Sequence, residues 1–381
     1  MSKRIIDINY QLIRIFQPFY AEQDNPDNLK HDEHDIIMCH RDGLQDQWDE
    51  ILQYARPGIK IIVDIVQESG NLDVFIDYFD RLTKSYSDYH FYLFVDSEFD
   101  FEFAENVTCL KSYKLSILSF FEGYGVIQHD SLQLLQDFDI YKKENGFLCL
   151  NGSIRTHRVL MLLHFLKNNI IGLNGQRYTD DEISMLLYTG TIDEFSKDDY
   201  KHFIGDMAEH GIIDSKEYQL LQMFGRNLPF KFEDEDGRRP DLELKNFYRK
   251  IINVITENVS GFDESDNSKY GTITFTEKVW KPFKVHQIPI IIALPNSLDK
   301  IRELGFDLFD DFVDHSYDKE QDPKKRVEMA FKELMRLSKL DCVDFYNKNK
   351  ERFIKNHCNI YKIKAEMYLE LQEFMFKNDL V

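Results

Sequence analysis

The sequence predicts an α/β protein built on parallel sheets, and three observations carry that expectation. Apolar runs such as Ile61-Ile62-Val63 and Phe91-Tyr92-Leu93-Phe94-Val95 are continuous rather than alternating, the mark of strands covered on both faces. Amphipathic stripes lie between them, as crossover helices require. The same pattern starts again at Phe147-Leu148-Cys149-Leu150. With 381 residues the chain can hold two domains, each with its own core. The expected division is 1–140, an N-terminal α/β domain, then 141–325, a C-terminal α/β domain, then 326–381, helices packing across both.

Taken in order, Ile36 to Cys39 reads as a short buried strand, and Leu44, Trp48, Ile51 and Leu52 share one helical face. Pro57-Gly58 breaks the chain before a second strand, Ile61 to Val66. Leu72, Phe75, Ile76 and Phe79 form the next helical stripe, and Phe91 to Val95 the third strand. Phe147 to Asn151 predicts a strand and Val159 to Leu166 the helix after it. Between about 172 and 245 the chain is polar and gives no clear period, and Glu233 to Gly237 reads as a solvated acidic loop. Ile251 to Ile255 and Ile288 to Ala293 are the last strands, with a loop at Gly261 to Gly271 between them. Val327, Phe331, Leu334 and Ser338 trace one late helix, and Ile363, Met367, Leu371 and Phe374 another.

Composition narrows the function. Hydrophobic residues make up 43% and aromatics 14%, enough for packed cores rather than disorder. A net charge of −20 argues against a surface that grips nucleic acid throughout, since neutralising phosphates needs clustered Lys and Arg. It leaves room for a local basic groove. Five scattered cysteines without a CxxC pair point to reduced thiols and a cytoplasmic setting. No signal peptide is expected from the opening residues. The apolar run Ile288 to Leu294, interrupted by Pro289, is too short to span a bilayer. The sequons at Asn106, Asn151 and Asn258 are therefore expected to be coincidental.

Two constellations suit a phosphorylated ligand. In the first, a strand ends at Asn151, Gly152 permits an unusual turn, and Arg155 and Arg158 flank the start of a helix. A helix N-terminus offers N–H groups and partial positive charge, and arginine adds a planar, bidentate donor. The alternative is that both arginines are surface residues, one pairing with a nearby acid. In the second, Thr276 can cap a helix that starts with Glu277 and Lys278 and must be short or kinked at Pro282. Glu277 suits the hydroxyls of a ribose or sugar, and Lys278 a phosphate. Lys281 and Lys284 add positive potential. As an exposed ion pair, Glu277-Lys278 would be worth at most roughly 1 kcal/mol.

These segments stand in an order that carries a resemblance. Phe275 to Pro282, Gln287-Ile288-Pro289, Leu298 to Phe306 and Asp314-His315-Ser316-Tyr317-Asp318 resemble a family of glycosyltransferases common in large phages and viruses. The strand, loop and His157-Arg158 at Phe147 to Arg158 look like the opening of that family's C-terminal domain, and Ile251 to Glu257 like its strand ending in a Thr-Glu pair. The Glu-Lys helix is distantly similar to the nucleotide-sugar site of α1,3-fucosyltransferases. The resemblance covers roughly residues 145 to 330. It implies a GT-B fold: two facing Rossmann-like domains, with the nucleotide sugar in the C-terminal one and the acceptor in the N-terminal one. By that carry-over Asn151, Arg155, Arg158, Glu257, Thr276, Glu277, Lys278 and Lys281 would surround the donor, a nucleoside diphosphate sugar such as a UDP-sugar. Arg155 and Lys278 would hold its diphosphate, with no cofactor or metal. Arg158 would either join them or hold the loop in shape. The chain departs from the family at Gly152, where relatives often carry a larger, frequently basic residue.

Transfer also needs a base on the acceptor hydroxyl, and the candidates are Asp64 and Glu68, in and after the second N-terminal strand, and Asp96 and Glu98, after the third. Each is equally well read as a solvated loop acid. Val95-Asp96-Ser97-Glu98 invites a metal reading, since an apolar strand ending in D-x-[DE] can hold Mn²⁺ or Mg²⁺. That reading conflicts with a donor site near Lys278 and ranks below it. His31 to Asp35 lacks HExxH spacing, Gly123-Tyr124-Gly125 lacks the third glycine of a dinucleotide fingerprint, and no P-loop occurs. The phage-like resemblance makes a hydroxymethylated base in DNA an acceptor worth naming, with Lys111 and Lys114 as candidate contacts, and the host cytoplasm the setting. The competing readings are a non-catalytic GT-B-like structural or glycan-binding protein and, weaker, a phosphate-handling enzyme of another class.

Overall fold

The computed structural model describes residues 5–7, 36–40, 48–54, 56, 58–65, 72–95, 97–117, 143–149, 155–170, 197–225, 250–257 and 273–380. The fold class is α/β, and the described residues fall into two compact units. The first is drawn from Met1–His129, Ser265–Trp280 and Ile360–Val381, the second from Asp130–Glu264 and Lys281–Asn359.

In the first unit β1 (Ile5–Asp7), β2 (Ile36–His40), β3 (Lys60–Asp64), β4 (His90–Val95) and β6 (Val107–Lys111) form one sheet in the order β1-β2-β3-β4-β6, every pair parallel. Because strand order follows chain order and crossovers are right-handed, the connecting helices must lie on one face. Helices α1 (Trp48–Tyr54) and α2 (Leu72–Ser85) do so. Ile37, Cys39, Ile61, Val63, Phe91, Leu93 and Val95 pack with Trp48, Ile51, Phe75, Ile76 and Phe79. The alternate residues Ile36, Met38, Ile62, Tyr92 and Phe94 face the other way, and the C-terminal helix α10 (Lys350–Lys377) meets them with Met367, Leu371 and Met375. Lys60 Nζ donates to the carbonyls of Asn378 at 2.7 Å and Asp379 at 2.6 Å, holding the negative end of that helix.

In the second unit β7 (Glu144–Cys149), β8 (Lys250–Thr256) and β10 (Ile288–Ile292) form a parallel sheet in the order β10-β8-β7. All seven residues of β8 are buried. Helix α3 (Thr156–Lys167) follows β7 and packs Phe165 on Phe147, ring centroids 5.5 Å apart. Phe331 of α8 (Pro323–Leu337) meets Phe165 at 5.7 Å. Asp322 caps α8 by accepting from Lys324 N and Lys325 N, with Pro323 at its first position.

The expected strands and helices are present, with corrections. The second strand ends at Asp64 rather than Val66. Strand β6 and helices α4 (Lys197–Glu209) and α5 (Ser215–Gly225) were not foreseen. Asn106 of the first sequon is a structural residue: its Nδ2 donates to the carbonyls of Thr83 (3.0 Å), Tyr86 (3.4 Å) and Tyr89 (3.1 Å). The sequons at Asn151 and Asn258 lie outside the described residues, as does the expected loop at 261–271. All five cysteines are outside any disulfide, and no described helix is long and apolar enough to cross a membrane.

Leu371, fully buried, and Leu369, 63% exposed, sit two residues apart on α10. Leu371→Ala is expected to cost about 2–5 kcal/mol in denaturant unfolding. Leu369→Ala is expected to stay within about 0.5 kcal/mol; equal effects would contradict the packing of α10 on the sheet.

Candidate functional site

In a parallel sheet all carboxyl ends share one edge, and ligands bind beyond it. In the second unit that edge is formed by Cys149, Thr256-Glu257 and Ile292-Ala293. After β7 the chain enters α3 through Arg155, which is exposed and extended (φ −145°, ψ 150°) at the helix N-cap. The first turn of α3 carries no acidic residue, and its leading N–H groups have no intrahelical acceptor. Partial positive charge and an exposed guanidinium therefore coincide at one helix start, an arrangement that suits phosphate oxygens.

Arg158 behaves differently. It is 4% exposed; its Nε donates to Thr256 Oγ1 at 3.1 Å and its Nη2 to the Thr256 carbonyl at 2.9 Å. These bonds tie α3 to the end of β8. Glu257, the next residue, is 2% exposed, and its N–H donates to the Ile292 carbonyl at 2.9 Å, extending the ladder to β10. His157 is buried alongside, and burial, with the charge of Arg158 next, pushes its pKa well below the usual range despite a hydrogen bond with the Glu257 backbone. The structure thus gathers Arg155, Arg158 and Glu257 at one sheet edge, with Arg155 outermost.

The segment with Thr276, Glu277 and Lys278 belongs to the first unit. There β4 ends at Val95, and β5 (Ser97–Glu98) pairs antiparallel with β9 (Ile273–Thr274). Helix α6 (Glu277–Lys284) starts three residues later and contains Pro282. Thr276 is buried; its Oγ1 accepts from Lys278 N at 3.4 Å and lies 3.4 Å from Lys278 Nζ. Lys278 and Lys281 are half-buried. Asp64 is the last residue of β3 and 5% exposed, at the carboxyl edge of the first sheet. Asn151, Glu68, Asp96 and the side chains of Glu98 and Glu277 lie outside the described residues.

A buried cation at this edge went unforeseen. Arg326 is 1% exposed, and its Nη1 donates to the Ala293 carbonyl at 2.8 Å and its Nε to that of Glu320 at 2.9 Å. It closes the β10 end of the same edge as Arg158 closes the β8 end. The signal was available: Arg326 shares a helical face with Val327, Ala330 and Leu334, where a charge is out of place. The resembling motif at Asp314 to Asp318 also proves to be a brace. Tyr317 Oη accepts from Ile291 N at 3.2 Å and is 3.0 Å from His315 Nδ1, and the Asp318 carboxyl, pushed up to about 6 by burial, accepts from Leu298 N at 3.3 Å.

A cavity of about 640 Å³ in the second unit is lined by Asp299, Arg302, Asp310, Asp314, Lys319 and Arg336 among others, and by none of the predicted site residues. Its cations are already paired: Arg302 with Asp299 (2.9 Å) and Asp310 (2.6 Å), Lys319 with Asp299, Arg336 with Glu333 (2.5 Å). The sheet edge is the better candidate.

No family model matches the chain, and no curated protein does. Among solved structures it is similar to an α,α-trehalose-phosphate synthase (UDP-forming) from Burkholderia vietnamiensis, with a TM-score of 0.40 and 11% identity over 93% of this chain and 76% of that one. It is also similar to α,α-trehalose 6-phosphate synthase from Burkholderia multivorans, with a TM-score of 0.39 and 13% identity over 92% and 72%. At that level of superposition the functional reading is carried by this chain's own residues.

The second unit buries His157, His286, His315 and His357 and half-buries His164, and burial is the leading cause that lowers the pKa of each, that of His286 to about 2. Below the ordinary value of 6.5 the unfolded chain binds more protons than the folded one, so stability is lost as pH falls through that value. Asp318, raised to about 6, acts in the opposite direction as one group against five. The urea midpoint is expected to be lower at about pH 5 than at about pH 7.5; an unchanged or higher midpoint would contradict the neutral, buried histidines.

Proposed function

We propose that the protein is a glycosyltransferase that moves a sugar from a nucleoside diphosphate sugar to a hydroxyl acceptor. The observation that supports this most is the start of α3, where exposed Arg155 adjoins first-turn N–H groups beyond the carboxyl end of β7. A diphosphate leaving group is the chemistry such a start accommodates: charge develops on its oxygen as the bond to the anomeric carbon breaks, and fixed cations and N–H dipoles stabilise that charge without reorganising. Arg155 and Lys278 are assigned to the diphosphate and Glu277 to a donor hydroxyl. Asn151, Thr276 and Lys281 are assigned supporting places around the donor, and Glu257 with Arg158 the shape of the sheet edge.

In the transfer the acceptor oxygen forms a bond to the anomeric carbon, the nucleoside diphosphate departs, and a carboxylate takes the hydroxyl proton. Asp64 is the described candidate for that base, and Glu68 and Asp96 are the alternatives. The acceptor is a hydroxyl compound, and a hydroxymethylated base in DNA is the class to try first. The resemblance of the Phe275 to Pro282 and Asp314 to Asp318 segments to phage glycosyltransferases is the ground for that choice.

A thermal-shift panel of nucleoside diphosphate sugars tests the donor class, because a ligand that binds the native state alone raises the melting temperature. One nucleotide series is expected to raise it by several degrees; no shift across the panel at millimolar concentration would favour a non-catalytic, glycan-binding role. Turnover of the responding donor is expected to survive EDTA. Complete loss restored by Mn²⁺ would move the diphosphate to the Val95 to Glu98 segment.

A further inference from the structure

Helix α6 has eight residues and a proline inside it, too few to hold its own first turn in water and with one backbone donor missing. The position of Lys278 must therefore be fixed from outside the helix. Three attachments within the first unit do this. The first is the two-residue ladder between β5 and β9, reinforced by Ser97 Oγ donating to the Ile273 carbonyl at 2.6 Å. The second is Phe275, fully buried, whose ring centroid lies 5.3 Å from that of Tyr113 and 5.6 Å from that of Trp280.

The third is directional. Trp280 is fully buried and its Nε1–H donates to Ser116 Oγ at 3.0 Å, while the same hydroxyl donates to the Tyr113 carbonyl at 2.8 Å. A buried hydroxyl that accepts from one partner and donates to another is orientationally fixed. A phenylalanine at 280 would fill most of the same space but could not make this bond. The indole therefore sets the rotation of the first turn of α6, and with it where Thr276 and the half-buried Lys278 lie.

We propose that Trp280, through its indole N–H to the Ser116 hydroxyl and its ring against Phe275, is the positioning residue that fixes the Thr276–Lys278 turn for donor binding. The ligand part rests on the glycosyltransferase reading above; the anchoring part does not.

The test compares wild type with Trp280→Phe, Ser116→Ala and Lys278→Ala, and with each of the first two combined with Lys278→Ala. Hydrogen exchange of the amides of residues 276–279 is read in the free, full-length protein. Calorimetry with a nucleoside diphosphate and with the corresponding nucleoside reads binding. Trp280→Phe and Ser116→Ala are each expected to speed exchange in the turn. Each is expected to weaken the nucleoside diphosphate about tenfold, to leave the nucleoside unchanged, and to add nothing when Lys278 is already alanine. Ser116→Ala keeps the test open if the tryptophan variant fails to fold. Unchanged exchange in the variants would overturn the proposal, and so would an affinity loss that persists in full on the Lys278→Ala background. If the wild type binds no nucleoside diphosphate, the donor reading falls, and the exchange comparison by itself upholds or overturns the anchoring.

Discussion

Parallel strands impose the constraint from which the rest follows. A parallel sheet must be covered on both faces, since its crossovers bring helices and its residues are apolar on both sides. In the first unit the strands pair in chain order, so right-handed crossovers place α1 and α2 on one face, and the opposite face is covered from elsewhere in the chain. The chain's last long helix covers it with Met367, Leu371 and Met375. Lys60 then meets the carbonyls at the helix end. Within each parallel sheet the same rule sends the carboxyl ends to one edge of that sheet, and the chain places Asp64 at that edge in the first unit and Arg155, Arg158 and Glu257 at that edge in the second.

The residues that carry the resemblance divide by physical role. Gln287 is fully buried, accepting from Asn253 Nδ2 at 2.9 Å and donating to the Lys250 carbonyl at 2.8 Å, so it aligns β10 with β8. Gly305 (φ +84°) ends α7 (Ser297–Glu303) with a backward turn, its N–H on the Arg302 carbonyl, and Phe306 stacks on Phe283 at 4.5 Å. His315, Tyr317 and Asp318 brace β10 and α7. These motifs build the scaffold. Among the described residues assigned to the donor, Arg155 is exposed and Lys278 and Lys281 are half-buried, and these are able to meet a ligand.

The strands were legible because burial on both faces writes itself as unbroken apolar runs, as in Ile251 to Ile255 and Phe91 to Val95. Strand β6 was not, because all its residues are only half-buried and Val107-Thr108-Cys109-Leu110-Lys111 lacks that run. Helices α4 and α5 each bury one residue per turn, Tyr200, Ile204 and Met207 in one, Glu217, Leu221 and Phe224 in the other, and the charges between them dilute the period. For the site, Arg155 and Arg158 look alike in the sequence. Only the fold separates the exposed guanidinium from the one bonded to Thr256. The anchoring of Thr276 to Lys278 was illegible for another reason: Ser116 and Trp280 are distant in the chain, and neither residue type announces the bond between them.

Calorimetric titration of wild type and Arg155→Ala tests most directly whether the start of α3 with Arg155 holds a diphosphate. A nucleoside diphosphate is predicted to bind the variant roughly ten- to a hundredfold more weakly, the loss of a charge-assisted hydrogen bond, while the bare nucleoside binds both proteins alike. Equal affinity of the two proteins for the diphosphate would contradict that role.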